Sequence, residues 1–165
     1  MKYTKGQHVI YSGVEICTIG DTVKKDFDGE GYKEYIMLYP LDLNTTFYTP
    51  VEKSDELIRP LLSKEKLMEL IKKMASFGDI CKSSTENRNI NFRNALKSGN
   101  YDAIISIMND IYSEKLNREK SGKQLYRTDR RNFDLAKKLI DSEIAVAFEI
   151  EINQVEDFIK NMVNN

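Results

Sequence analysis

The chain has 165 residues, 41% of them hydrophobic and 31% charged, with a formal net charge of −1 at pH 7. That length holds one or two domains and a real core, but not two large cores. No stretch approaches the ~20 apolar residues needed to cross a bilayer, and Met1-Lys2-Tyr3-Thr4-Lys5 opens no apolar signal core, so a soluble cytoplasmic protein with no membrane partner is expected.

Short β-type runs come first: Val9-Ile10-Tyr11, Glu15 to Ile19, Glu34 to Tyr39 and Phe47 to Val51. β-Branched and aromatic residues dominate them, and Gly13, Asp28-Gly29, Gly31, Pro40 and Asn44 punctuate the gaps. Four or five strands in about sixty residues bury little as a flat sheet, which predicts a small curled barrel. The acidic turn Asp26 to Gly31 joins two strands as a hairpin.

Beyond residue 63 there is no proline, and the apolar period becomes helical. Ser63 caps a helix with the stripe Leu67, Ile71 and Met74, which Gly78 ends. The polar stretch Lys82 to Asn89 reads as a loop, followed by a short helix from about Ile90 to Ser98 that stops at Gly99. Asn100 or Asp102 caps the next helix, with Ile104, Ile107 or Met108, Ile111 and Tyr112 on its buried face. A turn from Glu119 to Lys123 leads to a helix over about Thr128 to Phe148, lined by Phe133, Ala136, Ile140, Ile144 and Ala147. Asn153 and Glu156 have the spacing of a capping box for a last helix through Val155, Ile159 and Met162. The fold class expected is therefore α+β: a β module over 1–60 and an all-helical domain of about five helices over 61–165.

Charge follows the same division. Residues 1–60 carry a balance of −3, residues 82–138 one of +6 and residues 139–165 one of −5. The basic middle is suited to phosphates, although most basic runs on helices are simply solvated faces. Chemistry is harder to find. His8 is the only histidine, no nucleophile elbow, phosphate loop or His pair is present, and Asp26, Asp28 and Glu30 lack the ligand ladder of a calcium loop. Cys17 and Cys81 read as two free thiols in a reducing compartment. No catalytic site, metal, cofactor or small-molecule substrate is expected.

Taken in order, these pieces resemble the CarD family of bacterial RNA polymerase-binding transcription regulators. The residues that carry the likeness are Tyr3, Gly6, Val9-Ile10-Tyr11, Gly13, Lys33-Glu34-Tyr35, Thr49-Pro50-Val51 and Arg59. In the helical part they are Leu96, Ser98-Gly99-Asn100, Leu125, Asp129, Phe133, Ala136, Leu139 or Ile140, and Glu143-Ile144-Ala145. Each motif alone is weak; their order and spacing over roughly the first 150 residues carry the resemblance. It implies a Tudor-like barrel that docks on the RNA polymerase β subunit, partly by pairing strand edges. The helical domain would then meet promoter DNA, without base specificity, at the upstream edge of the melted bubble and shift open-complex stability.

The resemblance assigns polymerase contact to Lys24, Lys25, Phe47, Tyr48, Thr49 and Pro50, where a basic residue common in the family is replaced by Tyr48. On the DNA side, the position where relatives commonly place a wedging tryptophan falls on Thr85, and the chain contains no tryptophan. A threonine cannot fill an unstacked base step. Arg88, Arg130 and Arg131 stand where the family is basic, and charge clustering adds Arg93 and Arg127. Such a protein would work in the cytoplasm, at the nucleoid. A protein–protein adaptor that has lost DNA contact is the rival expectation, favoured by the missing tryptophan and the near-neutral total charge.

Overall fold

The structure, a computed structural model, describes residues 2–75 and 84–164, so the expected helix stop at Gly78, the start of the expected loop and Cys81 lie outside the described residues. The chain divides into two compact units, Met1–Leu61 and Leu62–Asn165.

In the first unit, β1 (His8–Tyr11), β2 (Glu15–Lys25), β3 (Lys33–Pro40), β4 (Phe47–Pro50) and β5 (Ile58–Pro60) form one sheet in the order β4-β3-β2-β1-β5. Every neighbouring pair is antiparallel. This corrects the expected barrel: β4 and β5 end the sheet on opposite sides, and the sheet is open. A 3-10 turn (Val51–Lys53) and the four-residue helix α1 (Ser54–Leu57) separate them, and α1 lies against both β4 and β5. A helical turn thus stands between the strands whose pairing would close a barrel.

One face of the sheet carries its core, because alternate residues share a face. Tyr3, Val9, Cys17, Ile19, Ile36, Leu38 and Ile58 form a single buried cluster, with Tyr11, Phe47 and Val51 packed on it. The Tyr3 hydroxyl donates to the Ile58 carbonyl at 2.8 Å, tying the chain start to β5. The register of β2 against β3 shifts between Ile19 and Thr22. Gly20 sits in this bulge, and a Cβ there would come within 2.5 Å of the Tyr39 ring; only glycine leaves that ring room to lie on the strand.

The expected hairpin joins β2 to β3, and its carboxylates brace the turn. Asp26 accepts from the Gly29 N–H at 2.7 Å and Asp28 from the Glu30 N–H at 3.2 Å. The Lys33 ammonium donates to Asp28 at 2.7 Å and Glu30 at 3.2 Å. That partnership holds the Asp28 carboxyl below its usual range, with Lys33 the main cause.

The second unit contains α2 (Lys64–Ala75), α3 (Thr85–Ser98), α4 (Tyr101–Lys120), α5 (Arg127–Phe148), a 3-10 turn (Ile152–Gln154) and α6 (Val155–Asn164). Ser63 does cap α2, accepting from the Lys66 N–H at 3.3 Å. The expected loop up to Asn89 is shorter than read: Ser84 caps α3 and helix begins at Thr85. Both Ile107 and Met108 are buried on α4 together with Ile104, Ile105 and Ile111, whereas Tyr112 is exposed rather than buried. On α5 the buried line is Ala136, Leu139, Ile140 and Ile144, with Phe133 and Ala147 half-buried. The capping box forms between Glu151 and Gln154, ahead of the position expected.

Three helices stop in the same way. An N–H two or three residues past the helix returns to a carbonyl five residues earlier: Asn100 to Ala95 at 3.0 Å, Lys123 to Arg118 at 2.8 Å and Ile150 to Ala145 at 3.0 Å. This closure needs a left-handed residue just past the helix, supplied by Gly99 (φ 64), Gly122 (φ 67) and Glu149 (φ 56). Glu143, buried on α5, accepts from the Leu62 N–H at 2.6 Å and from the Tyr101 hydroxyl. A carboxylate inside the unit thereby fixes the chain entering α2 to the start of α4.

Candidate functional site

The expected DNA-contacting residues separate into two groups. Arg88 is 2% exposed. Its Nε–H donates to Asp129 at 3.1 Å and its Nη2–H to the other carboxylate oxygen at 2.6 Å. The Thr85 hydroxyl donates to the same carboxylate at 3.2 Å and accepts from Arg88 at 3.1 Å. Here the sequence expectation is corrected. Arg88 faces inward because a buried carboxylate on α5 offers two oxygens in the plane a guanidinium fork fits, and it presents no charge to a phosphate. Thr85 is occupied in the same cluster. Asn132 adds a second tie, donating to Asn89 at 3.1 Å, so the first turns of α3 and α5 adjoin.

Arg127, Arg130 and Arg131 are exposed. At 3.6 residues per turn they fall within an arc of roughly 100° on α5, opposite the buried Asp129. Tyr126 precedes this helix without a side-chain cap, so its first amides add positive potential to the arginine face. Arg93 is also exposed, but it lies about 140° around α3 from Arg88.

On the sheet unit, Phe47 is half-buried, its ring 5.3 Å from that of Tyr11. Thr49 is fully buried, and its hydroxyl finds no hydrogen-bond partner among the described residues. As side chains, therefore, Phe47 and Thr49 belong to the core face, and Thr49 offers a partner only its backbone. Tyr48 points the other way and is 38% exposed, Pro50 is half-buried, Lys25 is exposed, and Lys24 stands 3.8 Å from Glu34. Beside Tyr48 lies a residue sequence reading did not single out. Phe27 is 58% exposed, and its ring meets those of Tyr35 at 4.9 Å and Tyr48 at 5.3 Å, both edge-on. The signal was present: Tyr35, Met37 and Tyr39 alternate along β3 on the face away from the core.

A cleft of about 550 Å³ opens in the helical unit between α4 and the start of α5. Ile111, Tyr112, Leu125 and Phe133 give it apolar walls, and Lys115, Lys123 and Arg130 outnumber the carboxylates Glu119 and Asp134 by one, with Glu119 3.9 Å from Lys115. Arg118 holds the loop at its mouth, donating to the Gln124 carbonyl at 2.6 Å and stacking 3.8 Å from the Tyr126 ring centre. Among the described residues no cluster of His, Cys, Asp and Glu is arranged to hold a metal, and no helix is long and apolar enough to cross a membrane.

No protein-family model matches the chain, and no curated protein is significantly similar to it. The functional reading rests on the residues themselves.

Proposed function

We propose that the chain is a bacterial transcription regulator that docks on the RNA polymerase β subunit and contacts promoter DNA without base specificity, altering open-complex stability. It works at the nucleoid, with no chemistry of its own. The observation that carries this reading is the division of labour between units: an open sheet ending in the short edge strand β4, and a separate helix start displaying Arg127, Arg130 and Arg131. An open edge accepts an added strand through main-chain hydrogen bonds, with Tyr48 on that strand and Phe27 against it, while Lys24 and Lys25 lie on β2, with β3 between. The arginine face suits phosphates.

The experiment is association with RNA polymerase core enzyme, followed by open-complex lifetime on one promoter. Wild type should bind and change the lifetime. Arg130→Ala and Arg131→Ala should each lower the salt slope of DNA binding by about 0.9. Failure to bind polymerase, or an unchanged salt slope in the double variant, counts against it. The inward turn of Arg88 and the occupied Thr85 favour a second reading, an adaptor that binds polymerase or another protein without DNA; polymerase binding with no DNA contact would select it.

A further inference from the structure

We infer that the cleft between α4 and α5 receives one unpaired nucleobase from single-stranded DNA. This rests on the reading of the helical unit as DNA-contacting, and it supplies that unit with a base contact that Thr85 cannot make. Three features of the cleft point to this occupant. Its volume of about 550 Å³ lies within the span of small-ligand clefts, roughly 300–1,000 Å³. Its walls pair two aromatic rings, Tyr112 and Phe133, with the aliphatic Ile111 and Leu125, which suits the flat faces of a base. Gln124 and Asp134 also line it and offer hydrogen-bonding groups to a base edge.

Charge completes the match. Arg130 belongs to both the cleft lining and the exposed α5 face with Arg127 and Arg131. A strand following that face would bring its bases to the cleft mouth while its phosphates meet Lys123 and Arg130. An aliphatic side chain from a protein would satisfy the walls but would use neither the Gln124 amide nor the Lys123 and Arg130 cations that line the cleft. A base inside a duplex cannot enter, because its faces are covered by neighbouring pairs. The cleft is also held ready. Arg118 fixes Gln124 and Tyr126 on either side of Leu125, so little ordering remains to be done on binding.

The test uses the full chain, a short dye-labelled single strand, and the duplex of the same sequence at matched salt. The single strand should bind more tightly than the duplex. Tyr112→Ala should weaken single-strand binding by roughly tenfold, the loss expected for one base–aromatic stack, and leave duplex binding unchanged. Leu125→Trp, which fills the cleft, should do the same, and thermal unfolding verifies that both variants fold. A photoreactive halogenated uracil in the strand should crosslink to Tyr112 or Phe133. Equal binding of single strand by wild type and both variants overturns the inference while leaving phosphate contact by α5 standing. Binding of neither DNA form, even at low salt, overturns both. Displacement of the strand by a short apolar peptide, lost in the same variants, would assign the cleft to a protein partner instead.

Discussion

Arg88 of α3 and Asp129 of α5, 41 residues apart, make a two-pronged buried ion pair: Nε–H and Nη2–H each donate to one carboxylate oxygen, at 3.1 and 2.6 Å. Asp129 is fully buried and sits in the first turn of α5, where negative charge is favoured. The pair therefore fixes the α3–α5 packing and the orientation of the arginine face behind it.

Removing one partner should be far worse than removing both. Arg88→Met or Asp129→Leu alone leaves an uncompensated buried group and should cost about 3–5 kcal/mol. The double variant Arg88→Met with Asp129→Leu should come within about 1 kcal/mol of wild type or exceed it. Urea unfolding of the four species measures the coupling. Additive single effects would contradict a buried pair.

Cys17 gives the sheet unit a pH signature. Burial, with help from Glu15 and Asp42, pushes its thiol from 9.0 up to about 12. A group raised in the folded state contributes stability that is complete below its unfolded value and lost as pH climbs from 9 toward 12. Stability of wild type should fall more steeply across that window than that of Cys17→Val. In a Cys81→Ser background, Cys17 should also resist alkylation until the protein unfolds.

Thr49 offers a separation of stability from docking. Its buried hydroxyl has no partner among the described residues, a condition that costs about 1–3 kcal/mol. Thr49→Val keeps the shape and removes the hydroxyl, so it should raise stability by about 1 kcal/mol. If β4 docks through its backbone, polymerase association should persist. A loss of binding without a loss of stability would mean the side chain itself is read.

The three like helix ends predict opposite effects of glycine exchange. Gly99→Ala places a Cβ at φ 64 and should cost about 1 kcal/mol. Glu149→Gly relieves the same conformation at φ 56 and should stabilise by about 0.5–1 kcal/mol. Thermal unfolding midpoints should move down and up respectively; a fall for Glu149→Gly would show that its side chain holds the helix end by a contact.

What was legible in the sequence was local. The hairpin at Asp26–Gly31, the Ser63 cap and the Gly99 stop are written in a few adjacent residues, and the structure places them as read; of the two caps open for α4, Asn100 and Asp102, it is Asn100 that caps. What was not legible depended on distant partners. Whether the sheet closes is decided by strands β4 and β5 on either side of α1, and Ile58-Arg59-Pro60 is too short and too proline-bound to read as a strand alone. The first turn of α3 is polar because Thr85, Arg88 and Asn89 spend their polarity on α5, so hydropathy mistook it for a loop. Arg88 looked like its exposed neighbours for the same reason. The charge run was visible; which arginine faces water was set by Asp129.

The brevity of β4 has a kinetic consequence. Its four residues, Phe47–Pro50, extend only about 13 Å, and the strand ends in a proline that has no N–H to give. An added strand can make few main-chain bonds there, so its hold must be short-lived unless Tyr48 and Phe27 anchor it. A partner captured on this edge would come and go within a cycle of its work, rather than remain as a permanent subunit.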